Sequence, residues 1–171
     1  MAFDLHSLGN AVRRALRMLQ KGDVAQRPSP TPGVRAGKGP YPGDYTGRVS
    51  LRYAPQRDGE PDPGEVVWAW VPYEEDHGKG KDRPVLVVGH NGPLLLGLML
   101  TSRDRVPAGM SSGDYMDLGP GGWDRQGRPS EVRLDRILQI HPSTVRREGA
   151  VLDEVRFEKV AAGLRRRHGW S

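Results

Sequence analysis

Apolar and polar positions are arranged differently in the first third of the chain and in the remainder. After Gly64, short runs rich in Val, Leu, Ile and Trp are separated by turn-forming residues, a pattern typical of β-strands. The strands predicted in this way span residues 65–71, 84–88, 94–100 and 131–140; residues 103–129 predict a long surface loop, in which residues 115–118 could form an additional strand. Asn91-Gly92 indicates a hairpin between the second and third strands. Helical spacing of apolar residues then predicts a closing helix over residues 153–167, whose terminal arginines suit the helix dipole.

The first 62 residues predict two segments of another kind. Residues 4–21 place apolar side chains on one stripe and basic ones mostly off it, so we predict a basic amphipathic helix within residues 1–26. Such a helix either packs on the protein or a partner, or lies on an anionic membrane surface. Residues 27–62 are rich in Pro and Gly, which predicts a linker or a wrapping arm. Within that arm, residues 48–53 could add a strand to a neighbouring sheet.

Several strands followed by one helix predict an α+β domain over residues 63–171, a small and mainly antiparallel barrel or sheet with the helix packed across it. The chain has 171 residues, no Cys and no apolar run long enough for a membrane span, so we expect a soluble, cytoplasmic protein without disulfides or thiolate metal sites. Its five His residues form no HxxxH or HxH pair, and we predict neither a metal nor a cofactor.

The positive charge lies in the N-terminal third. Residues 1–60 hold ten Lys or Arg against five Asp or Glu, whereas residues 61–171 hold sixteen of each. A basic segment beside a neutral domain suggests a polyanionic partner, because such contacts gain from counterion release. A solvated tail gives the same pattern.

Reactive side chains are concentrated in three segments: 74–83 with His77, 101–103, and 133–136. Each has a structural interpretation, namely an exposed loop, strand-end hydroxyls that satisfy the backbone, and a surface ion pair on one face of a strand. Taken in order, they resemble the PemK/MazF family of toxin endoribonucleases from type II toxin–antitoxin systems. The resemblance covers residues 63–167. It rests on Pro63-Gly64-Glu65-Val66-Val67-Trp68, Arg83-Pro84-Val85-Leu86-Val87-Val88, Leu100-Thr101-Ser102 and Val132-Arg133-Leu134-Asp135, with Ile140 and the terminal helix.

This resemblance implies an SH3-like barrel, a homodimer with an RNA groove near the subunit interface, and an antitoxin partner. It also implies metal-independent cleavage of single-stranded RNA at short sequences, leaving a 2′,3′-cyclic phosphate and a 5′-hydroxyl. The catalytic residues of the PemK-like branch match Asp135, Arg133 and His77, and those of the MazF-like branch match Arg83 and Thr101.

The chemistry of this cleavage suits these residue types. Asp135 is the predicted base for the 2′-hydroxyl, and Arg83 and Arg133 are predicted phosphate clamps. The acid for the leaving 5′-oxygen stays open between His77, Arg133 and a water. Further RNA contacts are predicted at Ser102, Arg103, Arg136, Lys79 and Lys81, and candidates for base stacking or ordinary packing are Tyr115, Trp123 and Trp170.

Two other functions fit the same sequence. A barrel of this kind can be a non-catalytic module that binds nucleic acid or protein, because folds outlive functions. The first helix can instead bind anionic membranes, although we expect no membrane association.

Overall fold

The computed structural model describes residues 39–171, so the predicted N-terminal helix and the first part of the predicted arm lie outside the described residues. The described chain forms seven strands and one α-helix. These are β1 (Glu65–Pro72), β2 (Gly80–Asn91), β3 (Leu94–Thr101), β4 (Tyr115–Gly119), β5 (Ser130–Arg133), β6 (Leu138–Ile140), β7 (Val145–Val151) and α1 (Glu154–His168), with a 3-10 turn at Pro142–Thr144 before β7. The strands at 65, 94 and 115 begin where the sequence predicted them.

All strand pairs are antiparallel, in the order β4-β5-β3-β2-β1-β7. The far side of β3 pairs with two strands at once: Leu100 lies opposite Val132 of β5, and Leu95 lies opposite Ile140 of β6. This double pairing curls the sheet into a half-barrel with one helix, which confirms the predicted α+β, SH3-like architecture.

Both faces of the central strands are buried. On one face Leu86 and Leu98 pack with Phe157 and Leu164 of α1 in the larger core. The other face forms a second core of strand side chains, namely Val67, Ala69, Val71, Val85, Val87, Leu95, Met99, Leu138 and Ile140. Burial on two sides explains why these strands read as continuous apolar runs rather than as alternating ones.

Two parts of the sheet differ from the prediction. The strand predicted over 131–140 is interrupted after Arg133, and the chain bends before resuming as β6. Strand β7 was not predicted, because Arg146, Arg147 and Glu148 in succession lack an apolar pattern. It is formed by pairing with β1, with two register shifts along the way.

The hairpin and the closing helix are confirmed. Gly92 sits in the β2–β3 turn with a φ of 56°, a conformation that favours glycine. The carboxylate of Asp153 accepts the Arg156 N–H at 2.9 Å and caps the first turn of α1. Gly169 ends the helix in the left-handed region at φ 67°.

The described part of the Pro/Gly-rich segment lies on the folded domain. The prediction of a strand over 48–53 is wrong, since these residues form no regular structure. Leu51 is nevertheless buried in the larger core, and the Tyr45 N–H donates to the Ile137 carbonyl at 2.8 Å. Within residues 39–171, no helix has the length and apolar character that crossing a membrane requires.

Candidate active site

Arg83 and Thr101 extend from the sheet face that lies opposite α1. In the β2–β3 register Val85 is paired with Met99, and both belong to the second core. Arg83 lies two residues before Val85, and Thr101 lies two residues after Met99. Because side chains alternate along a strand, both point to that same face. The two residues therefore lie next to each other at one end of the second core.

Arg133 joins them from the next strand. Its neighbour Val132 is buried in the larger core on the helix side, so Arg133 points to the face that carries Arg83. Tyr115 is the direct partner of Arg133 across β4 and β5. The fold thus brings together three predicted site residues that are far apart in sequence.

The guanidinium of Arg133 is held by two carboxylates. It donates to both oxygens of Asp135, from Nε at 2.7 Å and from Nη2 at 2.8 Å. It also donates to both oxygens of Glu74, from Nη1 at 2.9 Å and from Nη2 at 3.0 Å. Hydrogen bonding to Asp135, the largest effect, raises the pKa of Arg133, and bonding to Arg133 lowers the pKa of Asp135. Both groups are therefore charged at neutral pH, with Arg133 a poor proton donor.

Arg83 is a cation of a different kind. It is partly buried, and the ion pairs among the described side chains do not include it. Burial, followed by the charges of Arg103 and Arg105, lowers its pKa. Positive charges that face one another without counterions favour an anionic ligand.

The loop after β3 is anchored at this site by two hydrogen-bond acceptors. The hydroxyl of Thr101 accepts the Arg103 N–H at 3.2 Å. Glu131, only 4% exposed, accepts the N–H groups of Arg105 and Val106 at 2.6 and 2.7 Å through one carboxylate oxygen. Sequence reasoning missed Glu131, because β5 has the sequence Ser-Glu-Val-Arg and a carboxylate among polar neighbours gives no signal of burial.

The loop between β1 and β2 carries His77. A Tyr73 N–H to Lys79 carbonyl bond of 2.8 Å closes this loop, and Glu74 fastens it to Arg133. The ring of His77 packs edge-on against Tyr41, with the ring centroids 5.0 Å apart.

The remaining predicted RNA contacts divide into exposed and buried groups. Ser102, Arg103, Lys79 and Lys81 are exposed around the site, Lys79 pairing with Asp76 at 3.3 Å.

Arg136 does not belong with these exposed groups. It is 4% exposed and donates to Asp44 at 2.9 Å and to the Pro72 carbonyl at 2.7 Å, so its expected RNA contact is corrected to an internal ion pair.

The three aromatic residues predicted as candidates for base stacking differ in burial. Trp123 and Trp170 are buried in the larger core and donate to Ser130 and to the Gly47 carbonyl, so they are packing residues. Tyr115 is partly exposed, with the Arg105 guanidinium 4.7 Å above its ring. It remains a candidate for base stacking.

Asp135 is reachable from solvent. Its side chain is 21% exposed and borders a cavity of about 440 Å³, formed with residues 111–113 and the last turn of α1. The charge of Arg167, from that turn, also helps to lower the pKa of Asp135. Within residues 39–171, no three His, Asp or Glu side chains are grouped to hold a metal ion.

The sequence of this sheet and site matches a known family. A model described as the PemK-like, MazF-like toxin of type II toxin–antitoxin systems matches residues 62–167, more than half of the chain. The chain belongs to the PemK/MazF toxin family. Members of this family are endoribonucleases, and the matched segment contains Glu74, His77, Arg83, Arg133 and Asp135.

The solved structures that are similar to this chain share a low sequence identity with it. An endoribonuclease in complex with its cognate antitoxin, from a Mycobacterial species, is 17% identical, with 64% of this chain and 95% of that chain covered and a TM-score of 0.49. MazF from Deinococcus radiodurans is 22% identical, with 66% and 99% covered and a TM-score of 0.49. The MazE-MazF structure from Deinococcus radiodurans is 21% identical, with 67% and 100% covered and a TM-score of 0.46. No curated protein matches this PemK/MazF-family chain.

Proposed function

We propose that this protein is a toxin endoribonuclease that cleaves single-stranded RNA at short sequences, by attack of a 2′-hydroxyl on the adjacent phosphate. The observation that carries the proposal is an ionised carboxylate, Asp135, hydrogen-bonded to Arg133, whose strand face also carries Arg83, a cation outside the ion pairs of the described side chains. A base that is hydrogen-bonded to one guanidinium group, on a strand whose face carries a second, suits a reaction in which charge builds on phosphorus.

In this mechanism the 2′-oxygen forms a bond to phosphorus while Asp135 takes its proton. Arg83 and Arg133 stabilise the negative charge that builds on the phosphate oxygens, Arg133 through its planar fork. The bond from phosphorus to the 5′-oxygen breaks, and the 5′-oxygen takes a proton from His77 or from a water. The products are a 2′,3′-cyclic phosphate and a 5′-hydroxyl. One proton passes to Asp135 and one reaches the 5′-oxygen, so no net proton is taken up or released.

We further infer that the partners are RNA, an antitoxin and a second copy of the chain, and that the protein acts in the cytoplasm. Both the Mycobacterial endoribonuclease and the MazE-MazF structure contain a toxin with its antitoxin partner. An acidic antitoxin segment suits the face that carries Arg83, Arg103 and Arg105, because it supplies the missing negative charge.

The direct test is to incubate the purified full chain with a long RNA of varied sequence in EDTA and to map new 5′-hydroxyl ends. Discrete ends that disappear with Asp135→Asn, and persist with the exposed control Asp58→Asn, support the proposal. A folded protein that binds the RNA but makes no ends is instead a non-catalytic binding module, and the proposal fails.

Glu74→Gln is expected to lower the KM for RNA by about 2- to 5-fold, the range of one exposed ion pair. Glu74 is 53% exposed, and its carboxylate occupies two guanidinium nitrogens of Arg133 that a phosphate would use. Removing its charge frees those donors for the substrate. Initial rates at several RNA concentrations measure the effect.

Glu75→Gln is the matched control for this variant, since it removes the same charge from an exposed neighbour in the same loop. Its KM is expected to change less than that of Glu74→Gln. An unchanged or higher KM for Glu74→Gln would show that Glu74 does not compete with the substrate phosphate.

A further inference from the structure

Tyr41 of the described arm contacts His77 in the loop between β1 and β2, and Asp44 of the arm is linked through Arg136 to Pro72, the residue before that loop; both arm residues precede the segment that matches the family model. We propose that Tyr41 is a positioning residue for His77, and that residues 41–45 hold the active-site loop in its working geometry. The inference rests on the proposed function and adds to it a role for a segment outside the family pattern.

Tyr41 is itself held firmly. Its ring meets the imidazole of His77 at 82°, the edge-to-face arrangement that aromatic pairs prefer. Its hydroxyl donates to Asp44 at 2.7 Å and accepts the Gln139 N–H at 3.3 Å. Burial, the largest effect, raises the pKa of Tyr41, so the hydroxyl keeps its proton and stays a donor. Hydrogen bonds at the far end of the ring therefore fix the surface against which His77 rests.

A second connection reaches the other flank of the loop. The Asp44 carboxylate accepts from Arg136, whose Nη1 donates to the carbonyl of Pro72. Pro72 is the last residue of β1 and directly precedes the loop. The same arm carboxylate thus links the Tyr41 hydroxyl to the point where the loop leaves the sheet.

The arm is fixed to the barrel independently of this loop. The side-chain amide of Gln139 donates to the Gly43 carbonyl at 3.0 Å, and the Tyr45 N–H donates to the Ile137 carbonyl. Gln139 lies in β6, and Ile137 directly precedes it. Because its own position is set by the sheet, the arm can impose a position on His77.

The test is a cycle of variants measured for kcat, KM and Tm with the full chain. Tyr41→Leu removes the ring and is expected to lower kcat by about 3- to 10-fold, the range expected for one aromatic pair, with KM nearly unchanged. Tyr41→Phe keeps the ring but loses the hydrogen bonds of the hydroxyl, so its kcat is expected to fall less than that of Tyr41→Leu. In a His77→Ala background, Tyr41→Leu is expected to have no further effect on kcat, because Tyr41 acts through His77.

Tyr53→Leu is the matched control. Tyr53 is another partly buried arm tyrosine, but it packs on Phe157 and donates to the Leu152 carbonyl, on the helix side of the domain. This variant is expected to lower Tm without lowering kcat at temperatures where it stays folded. A fall in kcat as large as that of Tyr41→Leu would assign the effect to general stability and overturn the inference.

NMR gives a readout that does not depend on activity. The ring-proton shifts of His77 are expected to move in Tyr41→Leu and to stay in place in Tyr53→Leu. Unmoved shifts, an unchanged kcat in Tyr41→Leu, or an unchanged kcat in His77→Ala would each overturn the inference, and the proposed function would stand as long as Asp135→Asn abolishes cleavage. If Asp135→Asn also cleaves normally, the proposed mechanism itself fails.

Discussion

Asp135→Asn is expected to slow RNA cleavage by about 10²- to 10⁴-fold at neutral pH, the usual contribution of a positioned general base. The amide has nearly the shape of the carboxylate but cannot accept the proton of the 2′-hydroxyl. Because Asp135 and Arg133 both keep some exposure, at 21% and 16%, we expect the variant to stay folded. Single-turnover rates with an RNA that contains one mapped site measure the loss.

The control for this prediction is Asp58→Asn, an exposed carboxylate in the arm, whose cleavage rate is expected to match that of the original protein. Thermal unfolding and far-UV circular dichroism check that Asp135→Asn keeps its fold. A folded variant that retains more than about a tenth of the rate would contradict the assignment of Asp135 as the base.

The pH dependence follows from the same pair. Bonding to Arg133 lowers the pKa of Asp135 below its ordinary value of about 3.9. Because the pKa is lowered in the folded state, the ionised Asp135 stabilises the fold at any pH above its ordinary pKa. This stabilisation is lost as the pH falls through the folded-state pKa. Above about pH 4, we therefore expect Asp135 to produce no acid limb in the rate profile.

Asp44→Ala is expected to lower the free energy of unfolding by about 3 kcal/mol, because it leaves a buried cation without its counterion. Arg136 is 4% exposed, and Asp44 is the carboxylate that faces it. In a chain of this length that loss corresponds to a fall in Tm of about 6–12 °C. Urea unfolding at pH 7 measures the difference.

Asp82→Ala is the contrasting variant. Asp82 pairs with Arg146 at 3.6 Å, and both side chains are about half exposed, so removing this ion pair is expected to change stability by less than about 1 kcal/mol. If Asp44→Ala and Asp82→Ala lowered the free energy of unfolding equally, the burial of Arg136 would not be the cause of the loss.

The local pattern of apolar and turn-forming residues was sufficient to predict much of the fold. The strands of the β1–β3 meander are apolar runs bounded by turn residues, and α1 carries its own capping residues, Asp153 and Gly169. Strand β7 could not be predicted, because its polar sequence forms a strand only through its pairing with β1.

The candidate site was predictable as a set of residue types but not as an arrangement. The order of motifs singled out Arg83, Thr101, Arg133 and Asp135, whose catalytic roles stay predictions. The engagement of Arg133 by Glu74, 59 residues away, had no sequence signal. The burial of Arg136 had no sequence signal either. Its position directly after Val132-Arg133-Leu134-Asp135 suggested an RNA contact instead.

The order of motifs along the chain was enough to indicate the family, the strand-rich domain with its closing helix, and the residue types available for RNA cleavage. The tertiary structure decided which of these side chains face one another, which cations are buried, and that the described arm lies on the loop that carries His77. The physical reason is range: turns, caps and alternation act between neighbours in the chain, whereas the Asp44–Arg136 pair joins residues 92 apart and exists only once the sheet has closed.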